Sequence, residues 1–195
     1  MADHKETLHR YLQTSRESLL WKLDGLSDYD MRRPLTPSGT NLLGVVKHVA
    51  SVEIGYFTEV FGRTCPIDLP WFAEGAPPNA DMFASESESR DFIVDLYHQS
   101  WSVSDATINE LSLDTAGLVP WWGDDQQNVT LQQILVHMTV ETARHAGHVD
   151  IVRELIDGAK GYRLNSLNLP DFKPGEWSAY YDRVNAVALT YSLKQ

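Results

Sequence analysis

The sequence predicts an all-α protein, a helical bundle with long connecting loops and a C-terminal extension. Two observations carry this expectation. Helix start and stop signals outnumber strand signals along the chain. Late in the chain, Ile134, Met138, Glu141, His145, His148, Val152 and Leu155 recur in steps of four and three, which is the inward-facing stripe of a bundled helix. The length of 195 residues suffices for one domain with a sizeable core, and there is no internal repeat, low-complexity run or interdomain linker. The expectation is a single domain over residues 1–195.

The elements follow in order. A first helix is expected from about Lys5 to Leu23, with Leu8, Leu12, Leu19 and Leu23 among its apolar positions and Gly25 ending it. The stretch from Ser27 to Thr40 is turn-rich. Pro34 and Pro37 block helix continuation there, and Ser38 or Thr40 is placed to cap a second helix reaching about Phe61. Gly62 to Ala84 reads as a loop that Trp71, Phe72 and Phe83 hold against the body. Ser85-Glu86-Ser87-Glu88 supplies capping and acidic first-turn residues for a third helix. Its core face would use Phe92, Leu96, Trp101 and Ile108, and it ends near Leu111. A long connection from Ser112 to Val129 carries Trp121-Trp122, after which Thr130 caps the striped helix and Gly158 ends it. The tail holds a short helix from about Ser178 to Leu193.

The middle of the stripe is the chemically informative part. A carboxylate and two imidazoles among aliphatic side chains are costly to bury unless paired, and a cation held between helices removes that cost. Glu141 and His145 lie four apart on one face, so both heads can converge on one point. A third ligand must come from elsewhere, and His48 is the best candidate. It follows Val45 by three and precedes Val52 by four, sharing their apolar face, while Lys47 is expected to point to solvent. Periodicity alone leaves a competing reading level with this one, in which Glu141 and His145 form a hydrogen-bonded pair that only orients helices. His148 stays on the stripe as a further candidate. His137, four before Glu141, reads either as a residue that orients the carboxylate or as a histidine with a water partner. Arg144 and Arg153 read as ordinary ion-pair residues, and the loop aromatics as closing a bundle end or lining a substrate mouth. The single cysteine, Cys65, lies in a loop with no ordered base beside it, so a catalytic thiol is not assigned.

Charge excludes some partners. A formal charge of −11 argues against nucleic acid and anionic membrane, both of which require a basic surface. No stretch approaches the roughly 18 apolar residues of a membrane span, and the start lacks the apolar core of a secretory signal, so a cytoplasmic protein is expected. Metal cations and small molecules remain as ligands.

Two separated motifs then carry a resemblance. Pro37-Ser38-Gly39-Thr40-Asn41-Leu42-Leu43-Gly44-Val45-Val46-Lys47-His48 is followed by Glu53 and Tyr56-Phe57. Far along the chain stand Val136-His137-Met138, Glu141-Thr142-Ala143-Arg144-His145-Ala146-Gly147-His148 and Arg153-Glu154. Together they resemble the DinB superfamily, and more narrowly its actinobacterial branch of mycothiol-transferase-like proteins, over about residues 5–160, leaving 161–195 as an extension. The resemblance implies a four-helix bundle in which His48, Glu141 and His145 bind a divalent metal: zinc, nickel or iron. Many superfamily members have histidine at the position of Glu141, but a thiol-dependent maleylpyruvate isomerase has glutamate there. The superfamily also implies mycothiol-dependent and bacillithiol-dependent S-transferases and isomerases.

The function expected is therefore a metal-dependent thiol S-transferase or isomerase. It would use a low-molecular-weight thiol such as mycothiol on a small electrophile, at a metal that keeps an open position beside three protein ligands. The alternatives are a non-enzymatic metal or small-ligand binding protein of the same fold, and a structural bundle that forms a homodimer through an exposed apolar face.

Overall fold

A computed structural model describes residues 3–192. Four long helices make the bundle: α1 (His4–Trp21), α3 (Leu42–Phe57), α4 (Arg90–Glu110) and α5 (Leu131–Asp157), with a short α2 (Asp28–Arg32) after the first. α1 packs on α5, and α3 lies between α4 and α5. Between α4 and α5 a two-stranded antiparallel hairpin, β1 (Ala116–Leu118) and β2 (Asn128–Thr130), pairs Gly117 with Val129. No helix among the described residues is long and apolar enough to cross a membrane.

Apolar burial forms two clusters. One gathers Leu19, Leu43, Val46, Ile93, Tyr97 and Val149; the other gathers Leu12, Phe57, Ile108, Ile134 and Met138. Each of α1, α3, α4 and α5 contributes to both, and on α1 and α3 Arg16 and Glu53 sit at the positions between them, fully buried and paired. Burying such apolar surface at about 25 cal/mol per Å² drives the assembly.

Several boundaries differ from expectation for local reasons. The second expected helix, α3, is capped by Asn41, whose Oδ1 accepts from the Gly44 amide at 2.7 Å, rather than by Ser38 or Thr40. It stops at Phe57, short of Phe61; Thr58 turns back onto the Ile54 carbonyl and a 3-10 turn follows over Glu59–Phe61. Ser89, not the preceding Ser-Glu repeat, caps α4, and Phe92 is 46% exposed instead of in the core. The turn-rich segment contains α2, capped by Ser27, and the long connection contains the hairpin. Thr130 and Gly158 bound α5 as expected.

The buried stripe of α5 runs through Met138, Thr142, Ala146, Val149 and Val152, one residue round from the expected line. His148 is exposed, and Leu155, at 65% exposure, faces out. A straight helix of 3.6 residues per turn drifts away from a strict seven-residue repeat, which is why the far end of the stripe leaves the core. The C-terminal α6 (Glu176–Ser192) has no buried residue; the expected end of that helix at Leu193 lies outside the described residues.

Candidate metal centre

α3 and α5 bring His48, Glu141 and His145 together. One ligand atom from each lies within 4.8 Å of the others. His145 Nε2 is 3.0 Å from Glu141 Oε1, His48 Nε2 is 3.6 Å from the same oxygen, and the two imidazole rings meet edge to face with centroids 4.9 Å apart. The side chains are 13–28% exposed, so the cluster lies at the rim of the core, open on one side.

The protonation pattern is out of balance. His48 Nδ1 lies 2.6 Å from Asp81 Oδ2, and the tautomer that donates this bond leaves a lone pair on Nε2, directed at a carboxylate oxygen that also offers lone pairs. His145 can donate from Nε2 to Glu141, but its Nδ1 is then a buried acceptor with no hydrogen-bond partner among the described residues. Burial lowers the pKa of His145, the neighbouring His48 lowers it further, and Glu141 pulls only partly the other way, so the imidazole is kept neutral. A neutral imidazole with one buried ring nitrogen left over, a second imidazole held by Asp81, and one carboxylate are a donor set suited to a divalent cation, and these residues fit one.

Asp81 is the residue that spacing did not reveal. It comes from the loop before α4, and α3 itself draws that loop in. A Cβ on Gly44 would lie 1.9 Å from the Met82 carbonyl oxygen, so only glycine permits the approach, and Asn41 Nδ2 donates to the same oxygen at 3.1 Å. Lys47 completes the clamp. Contrary to the solvent-facing expectation it is buried, donating to the carbonyls of Ala80 and Phe83 and to Glu88. A loop folding over the polar side of a helix converts a solvent position into an interior one, which helical periodicity cannot register. Burial works to raise the Glu88 carboxyl, but the bonds from Lys47 and Ser85 outweigh it and hold it below the usual range. Glycine in a helix interior was the signal that something approaches α3 at this point.

The other candidates stand apart. His148 contacts the His145 ring at 5.3 Å but is not in the convergent set. His137 is caged between Tyr56 and Trp122, with centroids at 4.7 and 5.0 Å, and burial lowers its pKa against the pull of Glu141. Arg144 is exposed, whereas Arg153 is buried, pairing with Asp157 and donating to the Lys22 carbonyl. Cys65 is exposed and free. Trp71 is buried with its Nε1 on Ser51 Oγ, while Phe72 and Trp121 are half-exposed.

The family model for Mycothiol-S-transferase matches residues 7–158, the span from α1 to the end of α5 that builds this cluster. The chain belongs to the mycothiol-S-transferase family. No curated protein matches it in sequence. Among solved structures, that of a conserved protein of a locus from Enterococcus faecalis is similar with a TM-score of 0.58, covering 82% of this chain and 100% of that one at 16% identity, a likeness of fold alone. In this mycothiol-S-transferase family member the ligand candidates come from α3 and α5, and the loop that braces His48 comes from between α3 and α4.

Proposed function

We propose that this mycothiol-S-transferase family member transfers a low-molecular-weight thiol, mycothiol or a close relative, onto a small electrophile, with His48, Glu141 and His145 holding a divalent zinc, nickel or iron ion. The observation that carries the reading is the convergence of three ligand atoms within 4.8 Å, with the buried Nδ1 of His145 left without a hydrogen-bond partner among the described residues. An ion held there supplies an open position at which a thiol loses its proton at neutral pH.

The chain's own residues have definable tasks. Asp81 fixes the His48 ring and its tautomer, so that Nε2 is presented towards α5. Glu141 contributes the single negative charge of the ligand set, and the neutral His145 imidazole keeps a lone pair available. Asn41, Gly44 and Lys47 hold the bracing loop in place. The bundle carrying this chemistry and the extension beyond residue 160 are read as one unit, acting in the cytoplasm, where low-molecular-weight thiols are kept reduced.

The test is anaerobic purification with metal analysis, followed by conjugation assays with several thiols and a generic electrophile. About one ion per chain with metal-dependent turnover is the expected result. Stoichiometric metal without turnover for any thiol would replace the enzyme with a metal-binding protein. No metal under any loading condition would leave the cluster as a helix-orienting pair.

A further inference from the structure

Resting on the thiol-transfer reading, we propose that the electrophile is an uncharged, flat, conjugated carbonyl compound, held in an apolar groove that opens above Gly55 of α3, with the Tyr56 hydroxyl donating to its carbonyl oxygen.

The groove is a cavity of about 390 Å³ whose walls include Val52, Gly55, Tyr56, Phe72 and Trp121, with Glu59 at its edge. Gly55 is the informative residue. Glycine in a helix interior costs up to about 1 kcal/mol relative to alanine, so it needs a reason. Backbone geometry is not the reason, because Gly55 is not among the residues with positive φ. Close approach is not the reason either: a Cβ there would meet only Trp121 Cη2, at 3.9 Å, in contrast to Gly44, about three turns earlier on nearly the same face, whose Cβ would strike the Met82 backbone. What the missing side chain leaves is open space between aromatic walls.

Those walls are prearranged. The Tyr56 oxygen accepts from Trp122 Nε1 at 3.0 Å and from Trp121 Nε1 at 3.3 Å, which uses both of its lone pairs and leaves its own proton as an uncommitted donor. Phe72 and Trp121 stand about half exposed across the groove, an arrangement that gains by covering both with a flat apolar ligand. Among the described residues Glu59 is the only charged side chain lining the groove, and it disfavours anions.

The groove adjoins the candidate metal centre along both helices. On α3, Val52 follows His48 by four and Tyr56 by eight residues, placing the nearest wall about 6 Å along the axis at 1.5 Å per residue. On α5, His137 precedes Glu141 by four and lies 4.7 Å from the Tyr56 ring. In the transfer, the S–H bond of the thiol breaks and an S–C bond forms at the β-carbon of the conjugated carbonyl. The π pair moves towards oxygen, where the Tyr56 O–H meets the developing charge, and the α-carbon takes up the proton released by the thiol. No leaving group or further reagent is needed.

The test separates binding from turnover. Calorimetric titration of the metal-loaded and metal-free full chain uses the unreactive ketone 4-phenylbutan-2-one, with the anion 3-phenylpropanoate as comparison. The ketone is expected to bind both forms, with the anion at least tenfold weaker. Gly55→Leu, which fills the groove, should weaken ketone binding at least tenfold with metal content unchanged. Tyr56→Phe should weaken it several-fold and abolish the preference for the ketone over the matching hydrocarbon butylbenzene. If Gly55→Leu does not fold, Phe72→Ala at the exposed wall serves, with a several-fold loss expected. Equal affinity in wild type and variants, or tighter binding of the anion, overturns the proposal. Ketone binding that Gly55→Leu abolishes in a protein without thiol transfer leaves the groove standing and removes the transferase; transfer to benzalacetone that Gly55→Leu leaves untouched does the reverse.

Discussion

Two of the polar clusters that bridge helices in this bundle differ in how their charges are satisfied. The first joins Arg16 of α1 to Glu53 of α3, with both side chains fully buried and two nitrogens on the carboxylate at 2.6 and 3.3 Å; the remaining fork of Arg16 meets Gln13 and Asp105. Cation matches anion and donors match acceptors. Burial acts to lower the Arg16 pKa, but Glu53 and Asp105 outweigh it and hold the guanidinium above its ordinary value. The second cluster, His48, Glu141 and His145, has one carboxylate, two neutral-capable imidazoles and a buried Nδ1 left over. It is also 13–28% exposed, where the first is sealed. A saturated bridge holds helices; an acceptor-rich bridge with a route to solvent is equipped to take up a cation.

The largest effect should come from breaking the sealed bridge. Arg16→Met leaves Glu53 buried without its cation, and breaking such a pair from one side costs about 3–5 kcal/mol. Thermal or urea unfolding should show that loss, whereas His145→Ala, at the open cluster, should leave the metal-free protein within about 1 kcal/mol of wild type. The double change Arg16→Met with Glu53→Leu should recover most of the stability. If the single Arg16 variant unfolds like wild type, the buried pair does not hold the layers in register.

The same contrast explains what could be read from the sequence. Ligand spacing along one helix is a local property, so Glu141 and His145 stood out, and caps such as Thr130 and Gly158 marked the ends of their helix. His48 followed because its apolar neighbours Val45 and Val52 set its face. The brace was not legible: Asp81 reaches His48 only because Gly44, Asn41 and Lys47 pull in a loop from 33 residues away in sequence. Lys47 next to His48 looked like a solvent position for the same reason. The α5 stripe was correct at Ile134, Met138 and Val152 and wrong at His148 and Leu155, which are exposed, because the buried line runs one residue round the helix at Thr142, Ala146 and Val149.

Intermediate effects test the open cluster. His145→Ala should abolish high-affinity metal binding, and Asp81→Asn, which frees the His48 ring without removing a ligand, should weaken it about 10–100-fold. Lys47→Met belongs with Asp81→Asn, because the loop loses its clamp. Metal titration with a chromophoric competitor ranks the three. An Asp81 variant with wild-type metal affinity would mean that His48 is oriented by packing alone.

The smallest effect lies at the exposed edge of the sealed bridge, and its sign follows from proton linkage. Burial tends to raise the Asp105 carboxyl, but His9 at 2.7 Å and Arg16 at 2.8 Å outweigh it and hold it below its ordinary 3.8. A carboxyl depressed in the folded state contributes stability that is fully present above the unfolded value and is lost as pH falls through the lower folded value. Wild type should therefore exceed Asp105→Asn in melting temperature at about pH 7, and the gap should close as pH falls below 3.8. The gap should also narrow with added salt, since Asp105 is 35% exposed, unlike Glu53 behind it. A gap that stays constant from about pH 7 to about pH 2.5 would mean that Asp105 acts through its shape rather than its charge, and would confine the electrostatic bridge to Arg16 and Glu53.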